Sequence, residues 1–219
     1  MSWGRGAREG DYRLGELFHR RWEVVEVKLL LSPHNDDSEL FAAFTIIRER
    51  PTVCVVFDSY VQPTRGIPGC DAETRRMETE RAIRVLTGDP DIEEMEVPTG
   101  FLGLMDSVEH DPVTLAGILA AVYPLAEHVW APAFEEGGHD HHNLVALAAE
   151  KAFSGKVTHY LSYTRTGGKS RSAKEVLPRS GDDIARKLRA LACYSSQLQM
   201  DPRLGCWPHF VNDLREYYQ

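Results

Sequence analysis

Residues Val24–Glu39, VVEVKLLLSPHNDDSE, change character halfway along. Val24 to Leu31 is rich in branched apolar residues and stops at Ser32-Pro33, as a strand buried on both faces does. Immediately afterwards Leu40, Phe41, Phe44 and Ile47 fall at helical spacing, with Asp36, Asp37 or Ser38 placed to cap that helix. Pro51 resets the chain, and Thr52 to Phe57 is a second buried strand.

The alternation continues outward. Val61 to Asp71, with two prolines and two glycines, is a loop, and Glu73 to Thr87 is an amphipathic helix with Ala82, Ile83 and Leu86 inward. Ile92 to Val97 fits a short strand, Val113 to Tyr123 an apolar helix, and His128 to Ala131 a strand stopped by Pro132. A glycine-rich turn leads to a helix over Asn143–Phe153, a strand over Val157–Tyr163 and a long helix over Asp182–Leu198. Alternating strands and helices predict an α/β fold: a mostly parallel sheet with helices on both faces. The expected unit is one domain over residues 1–219, with 1–22 an amino-terminal extension and 201–219 a tail packed on the body.

Composition excludes several classes of protein. With 219 residues, 42% hydrophobic and 26% charged, the chain is not largely disordered. Its length lets it bury roughly 70% of the unfolded surface without staples. A net charge of −8 argues against nucleic acid or an anionic membrane as partner. Cys54, Cys70, Cys193 and Cys206 form no CxxC pair, which predicts reduced thiols. Met1 to Gly10 lacks the apolar core of a secretory signal, and Pro112 to Ala126 is too short to span a bilayer and reads as a buried helix. A cytoplasmic location is therefore expected.

Two clusters carry chemistry. Pro33-His34-Asn35-Asp36-Asp37-Ser38-Glu39 stands where the first strand gives way to a helix, the side of an open α/β sheet on which ligands bind. One imidazole and two adjacent carboxylates offer two metal ligands and a spare acid or base. A mononuclear zinc hydrolase needs a third protein ligand and an open position. The second cluster, Gly137-Gly138-His139-Asp140-His141-His142, follows another strand, and His139 and His142 share one face if a helix begins there. Taken singly, the first cluster is an ordinary helix cap and the second a polar loop. Their conjunction at two strand ends, with complementary ligand types, points to a metal site.

These same residues carry a family resemblance. The stretch from Pro33 to Glu39 resembles the His-Pro-Asp-Asp signature of the PIG-L/LmbE-like zinc N-deacetylases, and His139-x-x-His142 resembles that family's second signature. Arg75-x-x-Glu78-x-x-x-Ala82 and the helix from Lys187 to Gln197 are similar to two of its helices, although Tyr194 stands where the family often has histidine. The resemblance runs from about Val24 to Gln197 and implies a Rossmann-like fold. It implies that His34, Asp37 and His142 bind Zn2+, that Asp36 is the general base toward the attacking water, and that His139 stabilises the oxyanion or protonates the leaving amine. Other divalent transition metals accept the same ligands. Asn35 replaces the usual proline, which is expected to loosen the turn. His141 replaces a frequent aspartate, so an orienting carboxylate is either missing or supplied by Asp140.

The loop from Tyr163 to Lys174 contains Gly168-Lys169-Ser170, yet Tyr163 stands where a phosphate loop needs glycine, which excludes nucleotide hydrolysis. Arg165 and Lys169 in that loop either reach an anionic part of the substrate or are solvated. Arg75 either contacts substrate hydroxyls or pairs with Glu78. His19, His110, His128, His159 and His209 have no metal-like partners in sequence and are taken as structural. Trp207 and Tyr217-Tyr218 are expected to pack the tail or a homo-oligomer contact. The resulting expectation is a zinc-dependent hydrolase removing an N-acyl (acetyl) group from a small N-acylated amino sugar, the sugar coming from the resemblance alone. The alternatives are an amidase or esterase on a non-sugar conjugate, and a catalytically silent binding module.

Overall fold

In a computed structural model, which describes residues 27–59, 69–88, 99–105, 109–162, 173–198 and 214–219, the first strand is β1, Val27–Ser32. Side chains on a strand alternate between faces. Leu30 accordingly joins a core with Phe41, Ile46, Ile83, Leu86 and Leu191, while Leu29 and Leu31 join a second core with Leu115, Leu119, Val145 and Ala149. All three leucines are fully buried, each contributing about 1.5–3 kcal/mol.

These cores sit on opposite faces of one sheet. One is covered by α1 (Asp37–Phe41), α2 (Ala43–Glu49), α3 (Ala72–Thr87) and α6 (Gly181–Leu191). The other is covered by α4 (Pro112–Val122) and α5 (Asp140–Ala152). The remaining strands are β2 (Thr52–Asp58), β3 (Thr99–Met105), β4 (Ala126–Pro132), β5 (Val157–Tyr160), β6 (Lys174–Glu175) and β7 (Tyr217–Tyr218), and α7 spans Ser195–Leu198. Strand order in the seven-stranded sheet is β3-β2-β1-β4-β5-β7-β6, parallel from β3 through β5 and antiparallel at the β5/β7 and β7/β6 pairs. The fold is thus α/β with a mostly parallel sheet and helices on both faces. From β1 the chain winds one way to β2 and β3, and from β4 the other way to β5. The carboxyl ends of β1 and β4 therefore meet at the point where winding reverses, the usual crevice for a ligand.

Several elements differ from the sequence expectation. The helix after β1 is broken in two at Ala42, whose backbone leaves the helical region at φ −143° and ψ 20°. The backbone groups freed at the break have distant partners. Lys187 Nζ donates to the Leu40 carbonyl at 3.0 Å, and Phe44 N–H donates to Glu216 at 3.1 Å. Lys187 and Glu216 pair with each other at 2.6 Å, both fully buried. The long helix expected over Asp182–Leu198 likewise ends at Leu191 and restarts at Ser195. The apolar helix α4 is not buried: Leu115, Ala116 and Leu119 face the core, while Val113 and Val122 are exposed.

The strand expected over Ile92–Val97 lies outside the described residues; β3 spans Thr99–Met105. Gly100 and Gly103 interrupt its apolar pattern, and Gly103, at φ +68°, lies where the register with β2 shifts. The two-residue strands β6 and β7 are too short for periodicity to mark. Among the described residues, no helix is long and apolar enough to cross a membrane.

Candidate metal and catalytic centre

The turn leaving β1 is held from both ends. Ser32 Oγ donates to the His34 carbonyl at 2.7 Å and accepts from Ser38 N–H at 3.0 Å. Asp36 occupies the cap position of α1, yet its side chain makes no capping hydrogen bond. Asp37 Oδ2 instead accepts from His34 N–H at 2.8 Å, which turns both side chains the same way. Asn35 does not loosen this turn. It is fully buried, its carbonyl accepts from Thr79 Oγ1 at 2.8 Å and from Tyr194 Oη, and its Oδ1 accepts from Ser59 Oγ at 2.9 Å.

The loop leaving β4 is built as tightly. Glu135 and Asn143 exchange hydrogen bonds between backbone and side-chain amide, at 2.8 and 3.0 Å. Gly138 N–H donates to the Glu135 carbonyl at 2.8 Å, and Gly137 takes the left-handed conformation at φ +74°. The helix α5 then starts at Asp140, three residues earlier than expected, with His139 as its cap: His139 Nδ1 accepts from His141 N–H at 3.2 Å.

Side by side at the switch point, the two turns bring four imidazoles together. The ring of His34 lies 5.0, 5.1 and 5.6 Å, between centroids, from those of His139, His141 and His142. His34 Nδ1 and His142 Nε2 each lie 3.1 Å from the same oxygen, Asp37 Oδ2. Two nitrogens and one carboxylate oxygen form a donor set that suits zinc and its neighbours. Tetrahedral zinc at about 2.0–2.1 Å from such donors would space them about 3.3 Å apart, so the observed separations fit that cation. Both His34-Asp37-His142 and His34-His139-His141 bring their ligand atoms within 4.8 Å of one another.

Charge is concentrated accordingly. Burial alone would raise the Asp37 carboxyl, but the charge and hydrogen bond of His142, with those of His34, hold it well below the usual carboxylate range. Burial opposes the charged form of His34, yet the Asp37 hydrogen bond and charge outweigh it and raise its pKa. His139 is lowered, by burial first and then by the charges of His34 and His142. Beneath the site Glu39, fully buried, is pushed up to about 8 by burial against hydrogen bonds from Ser38 and Tyr194.

Of the residues expected in the site, His34, Asp36, Asp37, His139 and His142 all lie on these two turns. Asp36 and His142 are buried, and His139 is exposed at the rim. Arg75 is buried too. Its guanidinium lies 3.2 Å from Asp36 and 3.8 Å from Glu78, so it faces protein carboxylates. Arg165 and Lys169 lie outside the described residues.

Two further residues belong to the centre and escaped the sequence reading. His142 Nδ1 is 3.1 Å from Ser162 Oγ, which donates at 3.3 Å to Glu135 Oε1, a carboxylate that also accepts Ser162 N–H at 2.9 Å. An orienting carboxylate is thus present through Glu135, neither missing nor supplied by the exposed Asp140. The available signal was position: Glu135 and Ser162 each stand just beyond the carboxyl end of a strand. His110, taken as structural, also borders the site, with its ring 5.4 Å from that of Phe57.

Solved structures share this architecture. A conserved protein from Thermus thermophilus aligns at 20% identity and a TM-score of 0.52 over 87% of this chain and 92% of its own. The 4-carboxy-2-hydroxymuconate hydratase of Pseudomonas putida aligns at 17% identity and 0.53, over 85% and 83%. The N,N'-diacetylchitobiose deacetylase of Pyrococcus horikoshii, solved with an inhibitor, aligns at 16% identity and 0.60, over 89% and 83%. At these identities the likeness is one of fold. The sequence matches no known protein-family profile and no curated protein.

Proposed function

We propose that the chain is a metal-dependent hydrolase that removes an N-acyl group from a small amino-sugar substrate. The carrying observation is the convergence of His34 Nδ1 and His142 Nε2 on one oxygen of Asp37, each at 3.1 Å, at the sheet's switch point. These three residues would hold the cation, with Zn2+ the best match to two imidazoles and a carboxylate. A bound divalent cation would supply Lewis acidity toward the scissile carbonyl and make water a nucleophile near neutral pH.

The protein's own groups account for the proton movements. Asp36, not used as a cap, takes the proton from the attacking water and returns it to the departing amine nitrogen, while Arg75 at 3.2 Å restricts rotation of its carboxylate. His139 accepts a backbone N–H at Nδ1, so its neutral ring carries the proton on Nε2. That N–H is a donor for the carbonyl oxygen as negative charge develops, an interaction typically worth on the order of 10²–10³ in rate. An amino-sugar substrate is supported by the fold shared with a chitobiose deacetylase.

The test pairs metal analysis with acetate release from N-acetylglucosamine and N,N'-diacetylchitobiose. Asp36→Ala is expected to retain the metal and lose turnover, and His142→Ala to lose both. Wild-type turnover in Asp36→Ala would overturn the base assignment. A metal-loaded protein that releases no acyl group from a panel of sugar and non-sugar amides and esters would overturn the hydrolase.

A further inference from the structure

We infer that His141 is a positioning residue for the candidate metal centre: by accepting a hydrogen bond from His34 Nε2–H, it dictates which nitrogen of that ring faces the cation. The inference rests on the metal reading above. His34 turns its two ring nitrogens to different partners, with Nδ1 3.1 Å from Asp37 Oδ2 and Nε2 2.9 Å from His141 Nδ1. A neutral imidazole carries one proton, so a ring that offers its Nδ1 lone pair to a cation must carry that proton on Nε2. An acceptor opposite Nε2 therefore selects the ligating tautomer. In most metal sites a carboxylate, carbonyl or water takes that place. In this chain the group at hydrogen-bond distance is a second imidazole.

The acceptor is held in place from two sides. His141 lies in the first turn of α5, and its ring stacks on Phe57 with centroids 4.4 Å apart and planes 25° apart. Phe57 is itself fully buried in β2. The stack on Phe57 fixes the plane of the ring, and within that plane Nδ1 is directed at His34. His141 is also within reach of being a ligand, together with His34 and His139. Against ligation of the same ion, His141 Nδ1 meets Nε2 of His34, not the Nδ1 of that ring that meets Asp37. With His34 served by His141 and His142 by Ser162, both candidate imidazole ligands have their second nitrogen committed.

Asparagine and phenylalanine separate the acceptor from the packing. The Oδ1 of His141→Asn falls close to the place of imidazole Nδ1, whereas His141→Phe keeps the ring on Phe57 and removes the acceptor. Zn2+ affinity of the full chain is measured by competition with a chelator, alongside metal stoichiometry and the melting temperature of the metal-free protein. The expected result is one ion per chain throughout, with His141→Asn within about threefold of wild type and His141→Phe about 10–100-fold weaker. His141→Leu replaces the phenylalanine variant if the latter does not fold. Equal affinity in wild type and His141→Phe would overturn the inference. So would a His141→Asn as weak as His141→Phe, which would point to the ring as a ligand. A wild-type chain that takes up no ion would bring down the metal reading itself, whereas failure at His141 alone leaves that reading intact.

Discussion

Arg75 Nη2 lies 3.2 Å from Asp36 Oδ2, and both residues are buried. Arg75 also lies 3.8 Å from Glu78, whose carboxylate accepts Ser196 N–H at 2.8 Å and Ser195 Oγ–H at 3.0 Å. One guanidinium thus ties the turn after β1 to α3, and through Glu78 to α7. Arg75→Met leaves two buried carboxylates without their cation and is expected to cost about 3–5 kcal/mol. Arg75→Lys keeps the charge but loses the planar fork, so turnover should fall while metal content holds. Metal analysis with steady-state kinetics checks this. An effect confined to KM would instead mark Arg75 as a substrate contact.

Glu135 and Ser162 support His142 from behind, and neither is among the candidate ligands. Glu135→Gln and Ser162→Ala are expected to weaken metal affinity about 10–100-fold while leaving stoichiometry at one ion. Equilibrium dialysis against a buffered metal measures both quantities. His142→Ala, by contrast, should abolish stoichiometric binding.

The pair Lys187–Glu216 governs stability away from the chemistry. Lys187→Met strands a fully buried carboxylate and removes a donor to the Leu40 carbonyl, at an expected cost of about 3–5 kcal/mol. Adding Glu216→Gln removes the stranded charge while keeping an acceptor for Phe44 N–H, and should recover part of the loss. Urea denaturation of the two single variants and the double variant reads the coupling. Additive losses would show that the two side chains act independently.

Gly138 lets the β4 loop close. A Cβ there would lie 2.9 Å from the Glu135 carbonyl oxygen and 3.0 Å from Glu135 Cβ, and the nearest of these is rigid backbone. Gly138→Ala must therefore displace the start of α5, and with it His139, His141 and His142. Metal affinity should fall more than in Gly137→Ala, where nothing lies within 4 Å and the cost is the left-handed backbone, about 1–2 kcal/mol. Equal metal affinities in the two variants would refute this account.

The parallel core of the sheet was legible because β1, β2 and β4 are buried on both faces over Leu29–Leu31, Val53–Phe57 and Val129–Ala131 and carry apolar runs there. The residues His34, Asp37 and His142 were legible because strand ends in such a sheet converge at one edge. Elsewhere, local pattern misled. Leu40, Phe41, Phe44 and Ile47 keep helical spacing straight through a break, because spacing registers which side is buried and not whether backbone bonds continue. Glycines inside β3 hid a strand. Glu135 and Ser162 are single polar residues in loops, and only their distance to His142 gives them a part in the site.

What the sequence determined by itself was local: which segments have one apolar face or two, and which polar residues end them. What the tertiary structure decided was every relationship between segments distant in the chain. Lys187 and Glu216 cap a helix break more than a hundred residues away in sequence. His141 faces His34 across 107 positions. The physical reason is that hydrophobic burial depends on composition and period, which a sequence displays, whereas hydrogen bonds and ion pairs depend on separations set to within a few tenths of an ångström, which exist only once the chain has folded.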